Sequence, residues 1–201
     1  MGKSYYMETF GCQMNVADSE LIAGMLHKQG YVVSKSMDNA DAIFVNTCAI
    51  REHAEEKVHS RLGVYSRIKQ NRPEVIIGVL GCMAQHLKDE ILESKPYVDI
   101  ILGPDSYRKL PVLLDREIEN TNSLVDTKLS RFEVYDNLFP SRQEGINAWV
   151  SIMRGCDKFC TFCIVPFTRG RERSRSITSI VTEVHKAIAA GHGEITLLGQ
   201  K

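Results

Sequence analysis

The sequence has no surplus of either charge: Lys and Arg number 25, and so do Asp and Glu. A chain balanced in this way does not attract nucleic acid through its overall field, so any basic footprint has to be local. It has no apolar run long enough to span a bilayer, and its first residues, Met1-Gly2-Lys3-Ser4-Tyr5-Tyr6, lack the apolar core of a secretion signal. Neither a membrane partner nor an oxidising compartment is therefore expected, and the expected location is cytoplasmic. Internal repeats and low-complexity segments are also missing, which excludes solenoids and tail-like tracts. With 43% hydrophobic and 25% charged residues, the 201-residue chain has the mixture of an ordinary globular protein. That length holds one large domain or two small ones.

The chain does have six cysteines. In a reducing compartment cysteines serve more often as metal ligands or reactive groups than as disulfides. Three of them lie in Arg154-Gly155-Cys156-Asp157-Lys158-Phe159-Cys160-Thr161-Phe162-Cys163, a C-x-x-x-C-x-x-C spacing that follows the apolar run Trp149-Val150-Ser151-Ile152-Met153. Thiolates this close in sequence converge on a soft metal centre. The spacing differs from the paired C-x-x-C of a zinc ribbon, and from the four-cysteine ferredoxin run. Three thiolates leave one iron of a 4Fe-4S cluster without a protein ligand, and that open position is where chemistry can occur. A structural zinc site and a chance grouping are the alternatives.

Along the chain, apolar runs alternate with helical periodicity. Tyr5–Phe10, Tyr31–Val33, Ala42–Val45, Val75–Leu80 and Ile100–Leu102 read as strands. The continuous runs among them are the mark of parallel strands covered on both faces. Asn15 is expected to cap the first helix, whose stripe is Leu21, Ile22, Met25 and Leu26. A long helix carries Ala54, Val58, Leu62, Tyr65 and Ile68 and cannot continue through Pro73. Leu87, Ile91 and Leu92 mark the next helix, and Tyr107, Leu110, Leu113 and Leu114 the one after. The fold class is therefore α/β, an open parallel sheet with flanking helices over residues 1–118. Residues 119–147 lose periodicity and read as a linker. A second α/β unit occupies 148–201, with Ile180, Val181, Val184, Ala187 and Ile188 on one helical face and Ile195–Leu198 as a further strand.

Cys12, Cys48 and Cys82 are distant in sequence but alike in context. Each ends an expected strand just before an expected helix, on the sheet edge where ligands bind in open parallel sheets. Gly11 and Gly81 precede two of them and permit close backbone approach. A single strand-end cysteine is commonly just a buried apolar residue. Three on one rim point to a site.

Phe10-Gly11-Cys12-Gln13-Met14-Asn15, Asn46-Thr47-Cys48 and Gly81-Cys82 resemble the N-terminal domain of the radical S-adenosylmethionine (AdoMet) methylthiotransferases. Gly155-Cys156 through Cys163-Ile164-Val165-Pro166-Phe167-Thr168-Arg169-Gly170, with Glu172-Arg173-Ser174-Arg175, is similar to that family's radical loop and its continuation. The resemblance covers essentially the whole chain. It implies two 4Fe-4S clusters: one on Cys156, Cys160 and Cys163 that binds AdoMet, and an auxiliary one on Cys12, Cys48 and Cys82 that carries the sulfur. It implies transfer of a methylthio group. Within the family the chain looks most like the branch acting on N6-isopentenyladenosine beside the tRNA anticodon. Branches acting on threonylcarbamoyl-adenosine tRNA or on a ribosomal protein share the cysteines, and an iron–sulfur or zinc RNA-binding module without catalysis is the rival from another class.

The resemblance also places Phe162 beside the AdoMet adenine and gives Arg175 a cofactor role. Arg169, Arg171 and Arg173 form a local basic run that suits the tRNA backbone. No residue is singled out as an acid, base or nucleophile. Residues 148–201 correspond to only the start of a six-unit partial barrel, so this stretch alone is expected not to turn over substrate. The reductant and the sulfur donor are not identified by the residues.

Overall fold

The computed structural model describes residues 3–48, 52–117, 123–142 and 145–200. The first unit runs β1 (Ser4–Phe10), α1 (Gln13–Lys28), β2 (Val32–Val33), β3 (Ala42–Thr47), α2 (Glu52–Asn71), β4 (Ile76–Gly81), α3 (Cys82–His86), α4 (Lys88–Ser94), β5 (Ile100–Leu102), α5 (Leu110–Glu117) and β6 (Leu124–Asp126). Its six strands pair in the order β2-β1-β3-β4-β5-β6, all in parallel. Every residue of β3 and β4 is buried, as the unbroken apolar runs Ala42–Val45 and Val75–Leu80 require of strands between two layers of helices.

Alternation along these strands divides the core. Phe44, Leu80, Ile100 and Leu102 face one side, packed with Leu21, Ile22 and Leu26 of α1 and with Leu110 and Leu114 of α5. Ile43, Val45, Ile77, Val79 and Ile101 face the other, packed with Val58, Leu62 and Tyr65 of α2, Met83 of α3 and Ile91 of α4. Each large apolar side chain fully buried this way contributes roughly 1.5–3 kcal/mol. The alternation also sets the register: a slip of one residue would exchange the two faces.

Three local expectations are corrected. Asn15 is not the cap of α1; Cys12 is, in extended conformation, and Asn15 lies in the first turn. The helix expected around Leu87 is two short ones, α3 and α4, joined at Leu87. Within the span read as a linker, Leu124–Asp126 forms β6 beside β5. Tyr135 from the same span is buried, and its hydroxyl donates to the Pro104 carbonyl at 2.8 Å. That segment is thus folded onto the sheet. Residues 118–122 and 143–144 of the span lie outside the described residues.

The second unit holds β7 (Asn147–Ser151), β8 (Met153–Arg154), α6 (Val165–Thr168), β9 (Arg173–Ser174), α7 (Ile177–Ala189) and β10 (Glu194–Leu198). β7 and β10 run parallel with α7 between them in sequence, one complete βαβ step. β8 and β9 pair antiparallel through Met153 with Ser174 and Arg154 with Arg173, drawing together the two ends of the cysteine loop. On α7 the buried residues are Ser179, Glu183 and Ala187, while Val181 and Ile188 of the expected apolar face are exposed. The inner side of α7 is polar because it receives Arg175, whose guanidinium reaches Glu183 at 2.6 Å and Ser179 at 2.8 Å.

Candidate functional site

The register of the first sheet brings the distant cysteines together. Phe10 is opposite Thr47, and Thr47 is opposite Gly81, at the carboxyl ends of three adjacent strands. Cys48 and Cys82 follow Thr47 and Gly81 directly, and Cys12 follows Phe10 by two residues. The Cys48 backbone N–H donates to the Phe10 carbonyl at 3.2 Å, which ties the first two strand ends together. None of the six cysteines is in a disulfide.

Two glycines permit the crowding. A Cβ on Gly11 would stand 2.7 Å from the Cβ of Cys48, and a Cβ on Gly81 would stand 2.3 Å from Oδ1 of Asn46. Both have positive φ, +132° and +94°, where side chains are strained in any case.

The surroundings favour charged sulfur. The Cys12 thiol is held down to about 5, first by its hydrogen bond with Cys48, then, against burial, by the backbone N–H of Asn15 and the charge of Arg169. Arg169 donates from Nε to Sγ of Cys82 at 3.1 Å. Asn15 and Asn46 are fully buried beside the thiols and hydrogen-bond to each other at 3.4 Å, and the Asn46 amide also donates to the Asn15 carbonyl. Among the described residues, no three His, Cys, Asp or Glu side chains are gathered as tightly as one metal ion demands. A cluster sets a different requirement, because each thiolate binds its own iron and the sulfurs stand farther apart. A soft, anionic donor set with cationic and amide donors behind it suits such a cluster better than a single hard ion.

The local trio is arranged differently. Cys156 is buried and its backbone N–H donates to the Gly170 carbonyl at 3.1 Å. Cys160 is exposed, Cys163 is half-buried, and Cys163 donates from its backbone N–H to the Cys160 carbonyl at 2.9 Å. Just before Cys160, Phe159 takes a positive φ of 47°, an uncommon conformation for a side chain of that bulk. Cys12 of the rim trio and all three loop cysteines border one cavity of about 470 Å³. Cys12, Gln13 and Met14 border it from one side, and Cys156, Cys160 and Cys163 with Phe162 from the other. Phe162 is 94% exposed, a flat apolar face on the border of the cavity.

The arginine run divides by burial. Arg169 and Arg173 are 2% and 8% exposed, which corrects the expectation that they meet a tRNA backbone. Arg173 is held by Asp105 at 2.8 Å and by the Arg169 carbonyl at 2.6 Å. Arg175 also turns inward, to Glu183, Ser179 and the Ser151 carbonyl, and braces β7 against α7. Arg171 alone of the four faces solvent, paired with Asp157 at 2.8 Å and resting over the Phe159 ring.

Asp18, Arg154 and Asn46 were not anticipated from the sequence. Asp18 is buried on α1, and both of its oxygens are engaged, one by Arg154 and the other by Arg169 at 2.8 Å. Arg154 also lies 4.6 Å from the Tyr135 ring centroid. The available signal was a charged residue on an otherwise apolar helical stripe, and an arginine ending an apolar strand.

Residues 4–103 match the family described as "Uncharacterized protein family UPF0004". The chain is 48% identical over 200 residues to the tRNA-2-methylthio-N(6)-dimethylallyladenosine synthase of Amoebophilus asiaticus, which covers 98% of this chain and 41% of that protein. It is 49% identical over 201 residues to the synthase of the same name from Phocaeicola vulgatus, covering 98% and 44%. The chain thus spans about two fifths of the length of the curated relatives it matches. In structure it is similar to the radical S-adenosylmethionine methyltransferase TsrM from Kitasatospora setae, with a TM-score of 0.62 and 12% identity over 98% of this chain and 47% of that one, a likeness of fold. Nearly half its residues are shared with these synthases along almost its entire length, so the chain is similar to the corresponding two fifths of them, the resemblance that its cysteines suggested.

Proposed function

We propose that the protein containing this chain transfers a methylthio group to C2 of the adenine in N6-isopentenyladenosine beside the anticodon of tRNA. An aromatic C–H of adenine is too weak an acid for any side chain to deprotonate near neutral pH, so the radical and sulfur chemistry belongs to two bound 4Fe-4S clusters and AdoMet. Cys156, Cys160 and Cys163 hold the cluster that takes AdoMet, and Cys12, Cys48 and Cys82 hold the auxiliary cluster. The observation that carries this reading is the shared cavity, bordered by Cys12 of one trio and by all three cysteines of the other. Groups held by the two trios would both border this open cavity.

Phe162 offers its exposed ring to the AdoMet adenine. Arg171, the solvent-facing member of its run, remains for the tRNA backbone. The division proposed is a first unit over 1–118 that holds the auxiliary cluster and a second from 148 that begins the radical domain, with the folded segment between them. The proposed location is the cytoplasm; among the described residues no helix is long and apolar enough to cross a membrane.

The test is iron and sulfide content of the full-length protein after anaerobic reconstitution. Cys156→Ala is expected to halve both, and Cys82→Ala to halve them independently. Loss of all iron from either variant, or of none, overturns the two-site reading, and zinc in place of iron favours the binding module. Residues 1–201 alone are expected to form no methylthio-adenosine.

A further inference from the structure

Arg169 follows the loop trio in sequence but reaches the rim trio in space, and its side chain is buried away from solvent. It comes six residues after Cys163, directly after α6, yet its side chain enters the first unit. There Nε donates to Cys82 at 3.1 Å, and one terminal nitrogen, Nη2, stands 2.8 Å from Asp18. The other, Nη1, is buried with no hydrogen-bond partner. A buried N–H left unpaired is costly, and more so on a charged group.

The local charge does not close on itself. Two buried guanidiniums, Arg154 and Arg169, share the single carboxylate Asp18, and the rings beside them, Tyr107 and Tyr135, are held in their neutral form by burial. One positive charge is left over. It faces the rim where Cys12 and Cys82 lie, so the compensating negative charge belongs there.

We propose that Arg169 is a positioning residue for the auxiliary centre. Its Nε–H holds the Cys82 sulfur, its unpartnered Nη1 donates to the sulfur of the group bound on the rim, and its charge raises the reduction potential of that group. Hydrogen bonds and positive charge at cluster sulfur favour the reduced, more negative state. The proposal rests on the auxiliary-cluster reading above. Because Arg169 belongs to the segment that begins with the radical loop, it also makes the auxiliary potential depend on the second unit's being seated.

The experiment uses the full-length protein with Cys156, Cys160 and Cys163 all changed to Ala, so that only the rim trio can bind a cluster. Arg169→Gln and Arg169→Lys are added separately. Iron content and far-UV circular dichroism are recorded, and the cluster's midpoint potential is found by redox titration followed by electron paramagnetic resonance. The expected result is a folded protein that keeps its iron, with the potential lowest in Arg169→Gln and intermediate in Arg169→Lys. Unchanged potential and unchanged resonance in Arg169→Gln overturn the proposal. Loss of the cluster from both folded variants overturns it too, by making Arg169 a structural clamp. Absence of iron from the triple-alanine parent defeats the auxiliary-cluster reading itself, and that outcome is visible before any Arg169 variant is measured.

Discussion

The two cysteine trios reach similar chemistry from opposite physical starting points. Cys12, Cys48 and Cys82 are positioned by three parallel strands whose register is enforced by two apolar cores. Cys156, Cys160 and Cys163 lie on a loop, with the middle sulfur exposed and a phenylalanine in a left-handed turn. The first trio is costly to assemble but rigid, since it depends on the whole sheet. The second needs only local closure and is free to adapt to a cofactor that comes and goes. A permanent cluster fits the first, and a cluster that must admit AdoMet fits the second.

The largest expected effect comes from the seam that joins them. Asp18→Ala leaves Arg154 and Arg169 buried without their shared carboxylate, and breaking a buried pair in this way costs about 3–5 kcal/mol. Urea midpoints are expected to fall accordingly, and Cys82 is expected to become more accessible to alkylation than Cys156. Equal exposure of both sulfurs would erase the distinction between rigid rim and adaptable loop.

Gly81→Ala is expected to cost about 1–3 kcal/mol, from the left-handed backbone and the overlap with Asn46. The rim should lose its cluster while the loop keeps its own. Iron content separates the cases, and loss from both sites would mean the trios are one cooperative unit.

A smaller effect is expected in pH dependence. Burial raises the Glu20 carboxyl to about 7, against the partial relief given by Arg142, which is largely committed to Glu183 at 2.5 Å; Glu183 raises it further. A carboxyl whose folded pKa exceeds its unfolded value binds more protons when folded, so stability falls as pH rises from about 4.5 to about 7. The loss is on the order of 1–3 kcal/mol. Glu20→Gln should remove this slope from the difference between urea midpoints at pH 5 and pH 8. Arg171→Ala should change stability by no more than about 0.5 kcal/mol, since it is a surface residue, and weaken tRNA binding with a shallower salt dependence. Unaltered binding would remove Arg171 from the interface.

The central sheet was legible because β3 and β4 announce themselves as unbroken apolar runs, and the shared rim position of Cys12, Cys48 and Cys82 because each follows an expected strand. β6 was not, since Leu124-Val125-Asp126 is a three-residue strand among polar neighbours and owes its place to pairing with β5. The buried charges were illegible for another reason. Asp18 and Arg154 are 136 positions apart, and no local pattern reports a partner at that distance. The arginine run read as a solvated or phosphate-facing stripe because charge is usually exposed; here β9 and the loop before it are packed between two units, and three of the four guanidiniums turn inward.

The short β8–β9 ladder has an architectural consequence. By stitching Arg154 to Arg173, it makes the cysteine loop a closed cassette whose ends stay put whatever happens along its length. For a flexible loop already anchored in this way, doubling the number of residues adds only about 0.6 kcal/mol of closure entropy. Segments could be grafted between Cys156 and Cys163 to reshape the mouth of the cavity, provided that Arg169 keeps its place on Asp18 and Cys82.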